Sequence, residues 1–194
     1  MADRPYVTIV SGLPRSGTSL MMQLLHAGGI PVVTDQVRGA DDDNPRGYFE
    51  FEQVKQIRSD KSWLPEARGK VVKMVHLLLL ELPDEFEYRV VFMRRRLEEV
   101  LRSQSVMLER HGKKGAALPP EALMKVYQDQ IGKVLGWMAR RPNFGVLEVD
   151  YNELVREPLP WAPRLAGFLE GGEGVMDERA MVAAVDPSLY RNRS

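Results

Sequence analysis

The chain has 194 residues, the size of one domain at roughly 100–200 residues per domain, and reads as a single domain over residues 1–194. Lys plus Arg (27) equals Asp plus Glu (27), so the formal net charge is zero, which argues against a general nucleic-acid binder, whose surface carries a basic excess. Cysteine is absent, which excludes disulfides, a thiolate nucleophile and a Cys-ligated metal site.

No charged start leads into a long apolar stretch, so no secretory signal is expected. The densest apolar stretch, Val71 to Leu82, is broken by Lys73, His76 and Glu81 and falls far short of the ~20 residues a membrane span needs. The expectation is a soluble, cytoplasmic protein.

Tyr6-Val7-Thr8-Ile9-Val10 is β-branched and apolar and reads as a buried strand. The loop Gly12 to Gly17 follows, then a helix over Thr18 to His26, stopped by Gly28-Gly29. Ile30 to Val33 suggests a short extended piece. Asp41-Asp42-Asp43 lies in a turn-rich stretch and reads as a solvated loop rather than a metal site. Lys70–Val75 and Tyr88–Met93 are further strands, the latter ending at Arg94-Arg95-Arg96. Leu97 to Arg110 has helical spacing. Gly112 to Pro120 is a candidate mobile loop. A long helix is expected from Pro120 to Arg140, with Pro at its first turn and apolar residues recurring at three and four. Gly145 to Asp150 is a fourth strand, and two short helices near 160–170 and 177–185 precede a basic tail. Strands alternating with helices predict a three-layer α/β fold of the P-loop type, a central parallel sheet flanked by helices, with ligands at the C-terminal ends of the strands.

The sharpest signal is Gly12-Leu13-Pro14-Arg15-Ser16-Gly17-Thr18-Ser19. Two glycines five apart, between a strand and a helix, have the spacing of a phosphate-binding loop, whose N–H groups and helix N-terminus attract an anion. In an ATP or GTP P-loop a Lys follows the second Gly. Here Thr18 stands there and the cation lies inside the loop, as Arg15, which counts against a nucleotide kinase or NTPase.

Pro14-Arg15-Ser16-Gly17-Thr18-Ser19 resembles the 5′-phosphosulfate loop of sulfotransferases that use 3′-phosphoadenosine 5′-phosphosulfate (PAPS). The resemblance implies that Pro14, Arg15, Ser16, Gly17, Thr18 and Ser19 grip the 5′-phosphate and sulfonate, with Arg15 at the bridging region. The family's 3′-phosphate site is a strand ending in Arg with a Ser eight residues on. Arg94 or Arg95 fills the first role, and Ser103 stands eight after Arg95. Val149-Asp150-Tyr151-Asn152-Glu153-Leu154 is similar to a family strand ending in Tyr-Glu-Asp-Leu, which implies that Tyr151 lies near the adenine; a core Tyr is the alternative. Asp43 to Glu50 resembles a segment of bacterial members that leads toward the acceptor. The late Arg-Lys-Gly segment that covers the nucleotide in cytosolic members has no counterpart; Arg191 and Arg193 in the tail are candidates to replace it, and a solvated tail is the alternative.

For sulfuryl transfer the resemblance implies PAPS as donor, no metal and a small-molecule acceptor with a hydroxyl or amine. The base is expected to be His76, at a strand end as in cytosolic members but one residue further from its Lys, or Glu50, since other branches use a carboxylate. Two other readings stay open: a P-loop nucleotide kinase or NTPase, and a catalytically silent nucleotide-binding protein. His26 and His111 read as helix-surface residues. Trp63, Tyr48 and Phe49 line an apolar cleft or belong to the core.

Overall fold

The computed structural model describes residues 5–35, 49–110, 112, 115, 118–170 and 176–186. Asp41-Asp42-Asp43, Tyr48, His111, Arg191 and Arg193 lie outside these residues.

Four parallel strands form one sheet: β1 (Val7–Gly12), β2 (Val71–Val75), β3 (Tyr88–Arg94) and β4 (Phe144–Asp150), in the order β2-β1-β3-β4. Parallel neighbours demand crossovers. Helix α1 (Thr18–Ala27) lies between β1 and β2 in the chain. Helices α2 (Leu97–Arg110) and α3 (Pro120–Met138) lie between β3 and β4. Three shorter helices finish the described chain: α4 (Tyr151–Arg156), α5 (Trp161–Glu170) and α6 (Glu178–Ala183).

Successive strand residues point to opposite faces, and the apolar residues of the four strands supply both. Val10, Val71, Val91, Met93 and Val149 belong to one core, with Met21, Met22 and Leu25 of α1, Leu165 of α5 and Met181 of α6. Ile9, Val72, Met74, Val90 and Phe92 belong to the other, with Val100 of α2 and Ile131, Val134 and Met138 of α3. This is the three-layer arrangement expected from strands that are apolar on both sides. Each fully buried aliphatic or aromatic side chain contributes about 1.5–3 kcal/mol relative to exposure.

The elements keep their expected identities with small changes at the ends: α3 stops at Met138 rather than Arg140, and β1 extends to Gly12. Ile30 to Val33 yields only a single bridge, Val32 to Val71, at the sheet edge. Trp63 is core, 5% exposed, with Phe51 edge-on to it at 5.6 Å. His26 is exposed. One helix departs from the sequence reading: α4 begins directly after β4, where Asp150 caps it by accepting a hydrogen bond from the Glu153 N–H at 3.0 Å.

The register fixes what comes next. Gly12 pairs with Val75 of β2 and with Met93 of β3, while Arg94 pairs with Asp150 of β4. All four strands therefore end at one edge, and the residues just beyond them, Leu13, His76, Arg95 and Tyr151, are brought to it together.

Candidate active site

The loop after β1 owes its shape to three positive φ angles: Gly12 at 150°, Arg15 at 74° and Gly17 at 98°. Residues Leu13 to Ser16 form a turn closed by the Ser16 N–H to the Leu13 carbonyl at 3.1 Å. Pro14 sits second in the turn, where its fixed φ suits, and Arg15 third, where a left-handed residue is usually glycine. An arginine there costs on the order of 1–3 kcal/mol, so contacts from elsewhere must hold it. Gly17 cannot be replaced freely, since a Cβ on it would lie 2.2 Å from Cδ2 of Tyr151.

Those contacts come from α2 and from the end of β3. Arg15 Nε donates to Ser103 Oγ at 2.9 Å, across 88 residues of sequence. Arg95 Nη1 donates to the Arg15 carbonyl at 3.1 Å. Gln104, next to Ser103, donates from Nε2 to the Pro14 carbonyl at 3.0 Å, and the Tyr127 hydroxyl of α3 donates to Gln104 Oε1 at 2.7 Å. The loop is thus braced by α2 directly and by α3 through Gln104.

Arg94 and Arg95 have different surroundings. Arg94 ends β3 facing outward and pairs with Glu148 at 2.6 Å. Arg95 turns inward, its side chain 7% exposed, and pairs with Glu99 at 3.0 Å. Its guanidinium lies 4.5 Å from the centre of the Tyr151 ring, a cation–π stack. Tyr151 in turn rests against Gly17. Arg15, Gly17, Arg95, Ser103 and Tyr151 are one connected cluster.

The loop's own groups suit an anion. Helix α1 has no side-chain cap and no acidic residue in its first turn, so its N-terminal N–H groups and partial positive charge face the loop without a competing carboxylate. Ser16 Oγ is buried beside Gly12 with no hydrogen-bond partner among the described residues. Thr18 and Ser19 open the helix, half-buried. These donors, with Arg15, match the chemistry of a phosphate or sulfonate. The Arg95–Ser103 pair matches that of a second phosphate.

The β2 end carries the two base candidates. His76 is 3% exposed. Its Nε2 lies 3.0 Å from Gln130 Oε1 of α3. Burial pushes its pKa below the ordinary imidazole value, with Gln130 and the Gly12 backbone opposing only in part. His76 Nδ1 is buried with no hydrogen-bond partner among the described residues. Glu50 sits where the chain passes the edge of the sheet: Phe49 packs on the α1-side core and Phe51 on the other. Its backbone carbonyl accepts from the Thr34 hydroxyl at 2.9 Å, and its carboxylate stands 3.9 Å from Lys73 Nζ of β2. Its side chain is 26% exposed, far more open than His76.

Sequence reasoning did not single out Glu99, Gln104, Gln130 or Asn152. Only Glu99 left a trace, as a carboxylate four residues after Arg95. The other three are polar residues on helices with no spacing signal of their own.

No family model matches the sequence, and no curated protein does. Among solved structures, the sulfotransferase STF1 from Mycobacterium tuberculosis H37Rv superposes with a TM-score of 0.60 over 91% of this chain and 70% of that one, at 16% identity. The sulfotransferase domain from the curacin biosynthetic pathway gives 0.50 over 95% of this chain and 89% of that one, at 14% identity. A sugar kinase from Janibacter sp. HTCC2649 gives 0.43 at 12% identity, over 95% of this chain and 97% of that one. A value that low carries no argument about fold. With the loop, the sheet order and these two superpositions together, the chain has the sulfotransferase fold.

Proposed function

We propose that the protein is a PAPS-dependent sulfotransferase that moves a sulfonate group from 3′-phosphoadenosine 5′-phosphosulfate to the hydroxyl or amine of a small molecule. The observation that carries this reading is the hydrogen bond between Arg15 and Ser103. It joins the loop suited to a 5′-phosphosulfate with the helix that carries the 3′-phosphate serine, as one nucleotide spanning both would require.

In the proposed reaction the sulfur–oxygen bond to the 5′-phosphate breaks as a bond from sulfur to the acceptor's oxygen or nitrogen forms, in line, and the acceptor gives up its proton to a base. The leaving phosphate oxygen gains charge as the bond breaks. Arg15, Ser16 and the first N–H groups of α1 supply fixed positive charge and donors at that point, and such preorganised electrostatics is the largest available term in this kind of transfer. Arg95 and Ser103 hold the 3′-phosphate through a planar fork and a hydroxyl. Tyr151 offers ring surface near Gly17 for the nucleotide.

The acceptor's proton has two candidate destinations. His76 is neutral at pH 7 because burial lowers its pKa, which suits a base. However, its Nε2 is engaged by Gln130 Oε1 and its Nδ1 is buried. Glu50 is more open, its side chain 26% exposed. The greater openness favours Glu50 as the base, with His76 tied to α3 through Gln130.

Thermal unfolding tests the nucleotide assignment directly. The bisphosphate product 3′-phosphoadenosine 5′-phosphate, added without divalent metal, should raise Tm by on the order of 5–10 °C at a hundredfold excess over Kd, and ATP should do much less. A larger shift with ATP and Mg²⁺ would instead favour a kinase. Stabilisation by the bisphosphate with no consumption of PAPS across a broad acceptor panel would favour a silent nucleotide binder.

A further inference from the structure

We infer that Glu99 is a positioning residue of the nucleotide site, which aims the Arg95 guanidinium at the 3′-phosphate and sets the preference for nucleotides that bear one. The inference rests on the proposed donor.

Glu99 is the third residue of α2 and is fully buried, at 0% exposure. A carboxylate in the first turn of a helix commonly stays in water, where it complements the helix dipole. Glu98 beside it is exposed in that way. Burying the next carboxylate costs several kcal/mol unless its charge and lone pairs are met. Both oxygens of Glu99 are met. Oε2 accepts from Arg95 Nε at 3.0 Å, and Oε1 accepts from Asn152 Nδ2 at 2.9 Å. Asn152 belongs to α4, so this bond ties the end of β4 to the start of α2, and the Asn152 carbonyl oxygen accepts from the Arg96 backbone N–H at 3.4 Å.

The consequence falls on Arg95. Its Nε is held by Glu99, its Nη1 by the Arg15 carbonyl, and its flat face by the Tyr151 ring. Three contacts in different directions fix the plane of the guanidinium. A planar fork recognises a phosphate with two parallel bonds only when that plane is aimed correctly. An arginine free to rotate would lose about 2 kcal/mol of side-chain entropy on binding, and here that ordering is already done. The carboxylate also places a negative charge near the phosphate, which by itself would weaken binding. Its presence in a fully buried position is therefore explained by geometry: orientation of the arginine is worth more to recognition than the charge it offsets.

The test compares two nucleotides on the full chain. Calorimetry would measure Kd for 3′-phosphoadenosine 5′-phosphate and for adenosine 5′-phosphate, with wild type, Glu99→Gln and Asn152→Ala. In Glu99→Gln an amide N–H₂ replaces one acceptor, so one of the two incoming donors loses its partner. The ratio of the two affinities should fall about tenfold, as expected for a hydrogen bond to a charged group. Affinity for adenosine 5′-phosphate should stay within about twofold. Asn152→Ala should lower the ratio in the same direction by a smaller factor, and it carries the test should Glu99→Gln fail to fold. A purely structural Glu99 would weaken both nucleotides together and leave the ratio unchanged. That result in Glu99→Gln, or in Asn152→Ala where it stands in, overturns the inference and leaves the sulfotransferase reading intact. A wild-type chain that does not distinguish the two nucleotides overturns both.

Discussion

The two ends of the candidate site are built differently. On the loop side, bonds between distant parts of the chain converge: Arg15 to Ser103, Arg95 to the Arg15 carbonyl, Gln104 to the Pro14 carbonyl, and Asn152 to Glu99. On the β2 side, Lys73 and Glu50 stand 3.9 Å apart, 14% and 26% exposed, and His76 Nε2 meets Gln130 while its Nδ1 has no hydrogen-bond partner among the described residues. In the proposed reading the loop side holds a nucleotide with two anions, and a cradle for it can be preorganised. The β2 side would then meet the acceptor, whose chemistry varies between enzymes on one fold.

The contrast breaks hardest at Arg15. Arg15→Ala removes the cation at the point of charge development and should lower kcat by roughly 10³-fold. Circular dichroism should remain that of the folded chain. Turnover within tenfold of wild type would take Arg15 out of the mechanism and leave the loop a structural turn.

Next comes the base. Glu50→Gln keeps size and hydrogen bonding and removes the basic oxygen, and should lower kcat by about 10²-fold with an alcohol acceptor. His76→Gln should cost far less in kcat if His76 serves only to tie the β2 end to α3. The opposite ranking would assign the proton to His76 and require the Gln130 contact to open during turnover. Either ranking sharpens the comparison, because each places the β2 side of the site in a definite chemical role.

Ser103→Ala probes the loop side at smaller scale. It removes the hydroxyl that meets Arg15 and, in the proposed complex, one donor to the 3′-phosphate. The preference for the 3′-phosphorylated nucleotide should fall about tenfold. An unchanged preference would mean that the hydroxyl serves only to hold Arg15.

Much of this was legible beforehand, and the reasons differ by residue. The loop was readable because glycine at 12 and 17 and proline at 14 each answer a backbone demand, visible in φ angles of 150° and 98° and in the turn at Leu13–Ser16. Ser103 and the pair Arg94-Arg95 were singled out only through the family resemblance, since a basic turn after a strand reads by itself as solvated. The strands were readable because residues such as Val90 and Val91 are apolar on both faces of a buried sheet. Helix α4 was missed although Asp150 and Glu153 carry the spacing of an N-terminal cap; six residues give too short a period to see. Glu99 was missed because a charged residue early in a helix reads as solvated. Its burial follows only from what β3 and α4 bring beside it. The partners of His76 were invisible because Gln130 lies 54 residues away and shows no pattern.

The smallest effect concerns the folded state itself, and it isolates His76. Burial holds the folded imidazole below its ordinary value of 6.5. In the unfolded chain the ring takes up a proton near that ordinary value. Between the two, the unfolded state binds more protons, so stability must fall as pH drops. The contribution is fully present above pH 6.5 and is lost progressively as pH falls through the folded pKa. Urea unfolding at pH 7.5 and at pH 5 should show a loss for wild type that is smaller in His76→Gln, where nothing at that position titrates. Carboxylates elsewhere titrate in both proteins and cancel in the difference. An equal loss in both would mean that the ring gains a proton in the folded state as easily as in water. The packing around Gly12 and Gln130 would then have to be open to solvent, and the two halves of the site would differ less than their hydrogen bonds suggest.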